Sequence, residues 1–281
     1  MNEPSALNEM RAGVNLFMRA MWGRAYVRVV GASRELSWFI NEILIPILAM
    51  TAYVFIYRAF GAPKVYESLV IVGSAMVPFW LTVLWSMAAQ FYWEKEVGNL
   101  DIFLISPMSP MALLGGMAIG GMFLSLTRVV AVILAGALLF HVPFDLTRPI
   151  AGVLVLLLTM TSLFSLGAMA SSVFFLVGRA GMKINLILME PVYLLSGFYF
   201  PVKNIGFLLS MAASAIPLTL GLDGLRQCIL PNGPALGFLS VKIEIQILAI
   251  MTLAYTILAA KFFSYMESLG KREGRATLRW E

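Results

Sequence analysis

The stretch IAGVLVLLLTMTSLFSLGAMASSVFFLV, residues 150–177, holds no charged side chain and no proline. A helix needs about 20 mostly apolar residues to cross the hydrocarbon core of a bilayer, so this stretch reads as a membrane span. Working outward, runs of the same character occur at 36–57, 68–91, 111–140, 184–201 and 240–266. A further apolar stretch, 205–222, is short and interrupted by Gly206, Pro217 and Gly221. The expected fold is all-α: a polytopic membrane protein of six transmembrane helices. Composition agrees, with 60% hydrophobic and 12% charged residues against about 45–50% and about 25% in soluble domains. So few charges could not cover so much apolar surface in water, which excludes a soluble enzyme and a disordered chain. The lone Cys228 has no intrachain disulfide partner, and the lone His141 argues against a zinc site of the usual kind.

Charge placement orients the spans, because Lys and Arg collect on the cytoplasmic side. Arg11, Arg19, Arg24, Arg28 and Arg34 precede the first span, and Lys261, Lys271, Arg272, Arg275 and Arg279 lie at the other end. Both termini therefore read as cytoplasmic, and the number of crossings as even: six fit, seven do not. Inner loops then carry Lys95, Arg179 and Lys183, and outer segments Arg58, Lys64, Arg148, Lys203, Arg226 and Lys242, a bias of roughly two to one. The net charge of +5 is accounted for by termini that face anionic lipid. No soluble basic face is present, so nucleic acid is not an expected partner; the lipid bilayer is. The chain reads as one transmembrane domain, 1–281, in a cell (inner or plasma) membrane, with an interfacial segment at 1–35, a six-helix bundle at 36–266 and a basic tail at 267–281.

The N-terminus lacks the short apolar core and small-residue cleavage site of a signal peptide. Leu7, Met10, Val14, Phe17 and Met21 instead step along one helical stripe, with Asn8, Glu9, Asn15 and Arg19 on the other side. That pattern predicts an amphipathic helix in the inner interface; the alternative is a soluble helix packed on a partner subunit.

No phosphate-cradling Gly-x-x-x-x-Gly-Lys-Ser/Thr, no Gly-x-Ser-x-Gly elbow, no His-Glu-x-x-His and no Cys-x-x-Cys appears. The chain reads as a non-enzyme. Any ATP it depends on is hydrolysed by another chain.

Between the second and third runs lies YWEKEVGNLDIFLISPMS, residues 92–109. It reads as a short cytoplasmic helix, acidic at its start where the helix dipole favours carboxylates, and ending before Pro107. Val97, Leu100 and Leu104 form an apolar edge beside Glu94, Glu96 and Asp101, a form suited to docking in a partner's groove. The segment resembles the Glu-x-Glu-x-Gly-Thr-Leu-Glu…Ser-Pro-Ile-Ser signature of type-2 ATP-binding-cassette (ABC) exporter permeases, with Asn99 where Thr or Ser is usual. Residues 190–201, EPVYLLSGFYFP, look like that family's Pro…Ser-Gly-x-x-Phe-Pro stretch at the outer end of span five. Ile216-Pro217-Leu218-Thr219 with Asp223 and Arg226 resembles its Asn-Pro-Leu…Arg run, with Ile216 in place of Asn.

The resemblance implies that 92–109 is the coupling helix to an ATPase subunit, with Glu94, Glu96, Gly98, Leu100 and Asp101 at the contact. It implies an outer gate at Ser196, Gly197, Phe198, Phe200 and Pro201, and short outer re-entrant helices over 203–230. Two ABC ATPase copies holding ATP and Mg, and a second permease subunit forming a homodimer rather than a heterodimer, are the implied partners. This chain itself is expected to hold no cofactor and no metal.

Ionisable residues at membrane depth are costly and mark candidate sites. Glu42, Arg128 and Glu190 qualify as gating or structural charges, while Glu67 reads as an outer-interface residue. Arg128 is expected to pair with Glu190, or with Glu42 if that residue lies deeper than its position suggests. Gly116 and Gly120 form a small-x-x-x-small pair, and Ser165, Gly167, Ala168, Ala170, Ser171 and Ser172 slim the fourth span; both favour close helix packing. The scarcity of polar groups in the spans points to a hydrophobic or amphipathic cargo, drug-like or lipid, with a lipid-linked polysaccharide as the alternative. A secondary transporter would show internal repeats, and a membrane-embedded enzyme a convergent catalytic set; neither feature is evident.

Overall fold

Every regular element of the described residues is a helix. The computed structural model describes residues 6–99, 102, 106, 109–145, 148–177, 179–231 and 233–272. In chain order they form α1 (Ala6–Arg34), α2 (Leu36–Ala59), α3 (Val65–Leu81), α4 (Gln90–Val97), α5 (Pro110–Phe140), α6 (Pro149–Val177), α7 (Arg179–Leu195), α8 (Phe207–Ala213), α9 (Pro217–Ile229), α10 (Gly233–Leu236) and α11 (Val241–Arg272).

Among the described residues five helices are long and apolar enough to cross a membrane: Ile40–Ala59, Val65–Ala88, Met111–Phe140, Pro149–Ser172 and Val241–Tyr265. The second is the centre of the bundle, with 89% of its span window buried against 17% for the first and last. The outward faces of α2, α6 and α11 carry exposed Leu48, Phe55, Leu157, Leu253 and Leu258. In water such faces would be covered by charge; here apolar side chains meet an apolar solvent.

The expected span at 184–201 is helical over a shifted and shorter range. Helix α7 begins at Arg179 and ends at Leu195, 17 residues in all, or about 26 Å at about 1.5 Å per residue. It stops because Ser196 and Gly197 turn the chain, Gly197 with φ of 72°; a Cβ there would meet Phe200 O and the Val202 side chain. Helices α8 and α9 are bent by 109° at their junction, and Pro217 sits at the first turn of α9, where a missing N–H costs nothing. With 7 and 13 residues, neither arm reaches the about 30 Å of the core. The pair counts as a sixth crossing only if the two arms are taken as one broken span.

Local chemistry sets the other boundaries. Ser109 caps α5 by accepting from Met111 N at 3.2 Å, with Pro110 at the first helical position. His141 closes α5 in the left-handed region, φ 53°. Pro78 lacks the N–H that α3 needs, and the helix re-registers just after it as a wide π turn, Thr82–Ala88.

Packing within the bundle relies on small and hydroxyl residues, as apolar burial does not drive association in lipid. The broadest contact is α6 on α11, where Ser162 meets Thr252 at 2.6 Å and Ser165 meets Thr256 at 2.9 Å. Gly116 and Gly120 do pack closely, but against α1: Cβ atoms on them would press on Arg24 Cβ at 2.7 Å and Arg28 Cβ at 3.1 Å.

Candidate functional site

Two polar centres lie at opposite ends of α3. At one end, α1, α2, the π turn, α4 and α5 enclose a cavity of about 1050 Å³. Helix α1 places Arg24 and Arg28 one turn apart on the face that meets Gly116 and Gly120, and both guanidinium stems reach the cavity. Arg24 pairs with Glu94 of α4, Arg28 donates to the Ser86 hydroxyl, and Arg128 of α5 pairs with Glu42 of α2. Arg128 also donates to Thr82 Oγ1 at 3.3 Å, and Ser125 joins the same hydroxyl at 3.1 Å. Trp85, Trp93, Ile45, Leu81 and Leu124 supply apolar wall.

The partner of Arg128 is thus Glu42, not Glu190, which is exposed on α7. Arg128 stands level with the early turns of α2, where Glu42 lies, and beside Thr82 just past the end of α3.

Residues of the expected coupling segment divide. Glu94 is buried, taking Arg24, Gln90 Nε2 at 2.5 Å and Asn99 Nδ2 at 3.2 Å. It is turned into the protein rather than toward a partner, because the stripe of α4 facing α1 includes position 94. Glu96 is exposed. The helix ends not before Pro107 but at Gly98, whose φ is 83°. Asn99 N closes on Glu94 O at 2.8 Å, the six-to-one bond of a Schellman stop with glycine in the left-handed position. Asn99, the departure from the family pattern, ties this stop to the Glu94 carboxylate. Leu100 and Asp101 lie outside the described residues.

At the other end of α3, Arg226 of α9 is buried, not the outer-loop charge expected from the sequence. Its guanidinium donates to Leu69 O at 2.9 Å, Gly197 O at 2.7 Å, Phe198 O at 2.7 Å and Phe200 O at 3.1 Å. Four carbonyls, three of them in the turn 197–200, are thereby collected around one cation. Gly73 of α3 gives the room, since a Cβ there would collide with Phe198 O. Ser196, Gly197, Phe198 and Pro201 are buried, and Phe200 half-buried. Beside them Gln227 Nε2 donates to Asp223 Oδ2 at 3.2 Å and Glu244 Oε2 at 3.1 Å, and Asp223 accepts from Phe238 N at 2.7 Å. Glu67 forms a bidentate pair with Arg58, at 3.0 and 2.7 Å.

The sequence reading missed Arg24 and Arg28 as a pair and Arg226 as a buried hub. A signal existed for the first: four residues apart on a predicted helix, they share a face, at the same spacing as the glycines they pack on. For Arg226 the signal was its place in the Asn-Pro-Leu…Arg resemblance; side-chain spacing gives none, because its acceptors are backbone carbonyls.

Among the described residues no group of His, Cys, Asp and Glu could hold a metal ion. What both centres can do is bind and hold, with no bond chemistry required of them. A bundle of apolar helices with a charged cavity at one end and a clamped turn at the other defines a polytopic membrane transport protein. The match to a family model gives the particular family. The ABC-2 type transporter model matches residues 18–230, and the chain belongs to that family, as the permease subunit of an ABC transporter. No curated protein matches the chain.

Proposed function

We propose that the chain is the permease of an exporter that moves a hydrophobic or amphipathic cargo outward, driven by a separate ATPase docked on the end of α4 and the segment after it. The carrying observation is the Arg24–Glu94 pair, which ties α4 to α1 at the wall of the large cavity. A push on the α4 end is passed to α1 and to the helices around the cavity, so occupancy and ATP-driven closure bias one two-state element. Glu96, Gly98, Leu100 and Asp101 are the contact residues in this reading, and Glu94 the internal anchor.

Helix α7 with the turn 196–201 serves as the fifth crossing, and α8–α9 as a re-entrant pair on the outer side. Six crossings keep both termini cytoplasmic in the cell membrane. Exposed Trp22 and Tyr26 on α1 suit a helix lying in the inner interface, where amphipathic aromatic rings collect. The single domain pairs with a second copy of itself and with two ATPase subunits carrying ATP and Mg.

The test is reconstitution of the full chain with its ATPase in vesicles, measuring ATP hydrolysis with and without candidate cargo. Cargo stimulation in wild type that is lost in a Glu96→Ala/Gly98→Leu variant supports the reading. Unchanged stimulation and transport in that variant would assign the ATPase contact elsewhere. A reporter fused after Glu281 that reads non-cytoplasmic would sink the six-span topology.

A further inference from the structure

Around the inner cavity the arginines are not equally compensated. Arg24 meets Glu94 and Arg128 meets Glu42, whereas Arg28 donates only to the neutral Ser86 hydroxyl. Among the described residues no carboxylate lies within ion-pair distance of Arg28. Its Nε is buried and has no hydrogen-bond partner. Burial, with Arg128 and Arg24 nearby and Glu42 opposing them, lowers the Arg28 pKa to about 10, so the group stays charged at neutral pH. Glu35, exposed, is the remaining carboxylate of the lining.

We infer that this cavity binds an amphiphile with one anionic head, of the phosphate or sulfate type, its head on Arg28 and its alkyl body along Ile45, Leu81, Trp85 and Leu124. An anion brings the charge-assisted hydrogen bonds that a guanidinium makes best. It also offsets the crowding of three cations. The size argues for more than a bare ion: about 1050 Å³ lies at the upper end of ligand pockets, which run about 300–1,000 Å³ and are mostly apolar with a few placed polar groups. Ile45, Leu81, Trp85 and Leu124 give the cavity apolar wall, and α1, which bears the arginine, carries exposed Trp22 and Tyr26, the character of a helix that lipid tails can pass. Arg24, one turn before Arg28, holds Glu94, so a head on Arg28 sits beside the link to α4. The inference deepens the exporter reading by naming the cargo class, and it rests on that reading only for the transport step, not for binding itself.

The full-length chain in phosphatidylcholine nanodiscs is titrated with dodecyl phosphate, dodecylphosphocholine and inorganic phosphate, monitoring tryptophan emission, since Trp85 and Trp93 line the cavity; empty nanodiscs correct for partitioning. Dodecyl phosphate is expected to bind about tenfold tighter than the zwitterion, a ratio equal to about 1.4 kcal/mol, and inorganic phosphate not to displace it at equal concentration. Arg28→Gln should remove that preference, Arg28→Lys keep most of it, and Arg34→Gln, at the exposed end of α1, leave it unchanged. Equal binding of the two amphiphiles by wild type, or an undiminished preference in Arg28→Gln, would overturn the site. Displacement by inorganic phosphate at equal concentration would overturn the amphiphile in favour of a free anion. Should Arg28→Gln fail to fold, the three-ligand comparison on wild type and on Arg28→Lys still decides. Binding as expected without stimulation of ATP hydrolysis leaves the site standing and removes the exporter reading; stimulation by neutral amphiphiles alone does the reverse.

Discussion

The two polar centres at the ends of α3 are built on opposite plans. Around Arg226 a guanidinium is surrounded by backbone carbonyls of α3 and the turn 197–200. Around Arg24, Arg28 and Arg128 the bonds run side chain to side chain across an open cavity, and each joins a different pair of elements. Backbone acceptors cannot change rotamer, so the first centre moves only if the turn or α3 moves. Long side chains can exchange partners within a cavity, so the second can reorganise without unfolding a helix. A rigid clamp at one end thus faces an adjustable set of ion pairs at the other; in the proposed exporter reading the adjustable end receives cargo and push, and the clamped end resists opening.

The largest effect should come from the clamp. Arg226→Met strips four carbonyls of their donor at once and is expected to cost on the order of 4 kcal/mol or more, at about 1–3 kcal/mol for each buried group left unsatisfied. Thermal melting in detergent checks this; a loss below about 1 kcal/mol would mean that the clamp is not rigid and would erase the contrast. Next comes Arg128→Met, which leaves the Glu42 carboxylate without its arginine. A fully buried pair broken in this way costs about 3–5 kcal/mol, and the Glu42 side chain is 26% exposed, so about 2 kcal/mol is expected. Adding Glu42→Gln should recover much of it, whereas adding Glu190→Gln should not; recovery with the Glu190 change instead would restore the pairing expected from sequence.

Glu94→Gln should be milder in stability, about 1–2 kcal/mol, because the amide oxygen can still accept from one of the two donors, Gln90 or Asn99, that now bond separate carboxylate oxygens. It should cut cargo-stimulated ATP hydrolysis as strongly as Arg24→Gln does, and the double variant should add little, as for two halves of one link. Additive losses would separate α1 from α4. Smallest is Gly98→Ala, about 1 kcal/mol for a left-handed backbone with a Cβ. No atom crowds the position, so the loss is conformational, and Gly98→Asn should be milder still. If Gly98→Ala is silent in hydrolysis and transport, the stop after α4 has no part in relaying motion.

Much of this was legible from composition and periodicity. Uninterrupted apolar runs have no other stable place than a helix in lipid, because backbone groups there must bond within their own segment. The runs at 68–91, 111–140, 150–177 and 240–266 therefore appear as helices within a few residues. The run at 184–201 is helical only as far as Leu195. Ser196 and Gly197 are apolar enough to pass a hydropathy reading, yet Gly197 takes a backbone conformation that no helix contains. Similarly, the small pair Gly116 and Gly120 declared close packing but not the partner, which is α1 rather than another span.

By itself, then, the sequence determined the helical class, the bilayer as solvent and, through its local motifs, the family. Those properties depend on side-chain type and near-neighbour spacing along one chain. Tertiary structure alone decided that Arg128 meets Glu42, that Glu94 faces inward to Arg24, and that Arg226 is a buried hub. Each of these joins positions far apart in sequence, and each depends on how deep a helix sits and which face it turns. A rotation of a third of a turn or a shift of one turn would change every such partner while leaving the apolar pattern that places the helix in the membrane untouched.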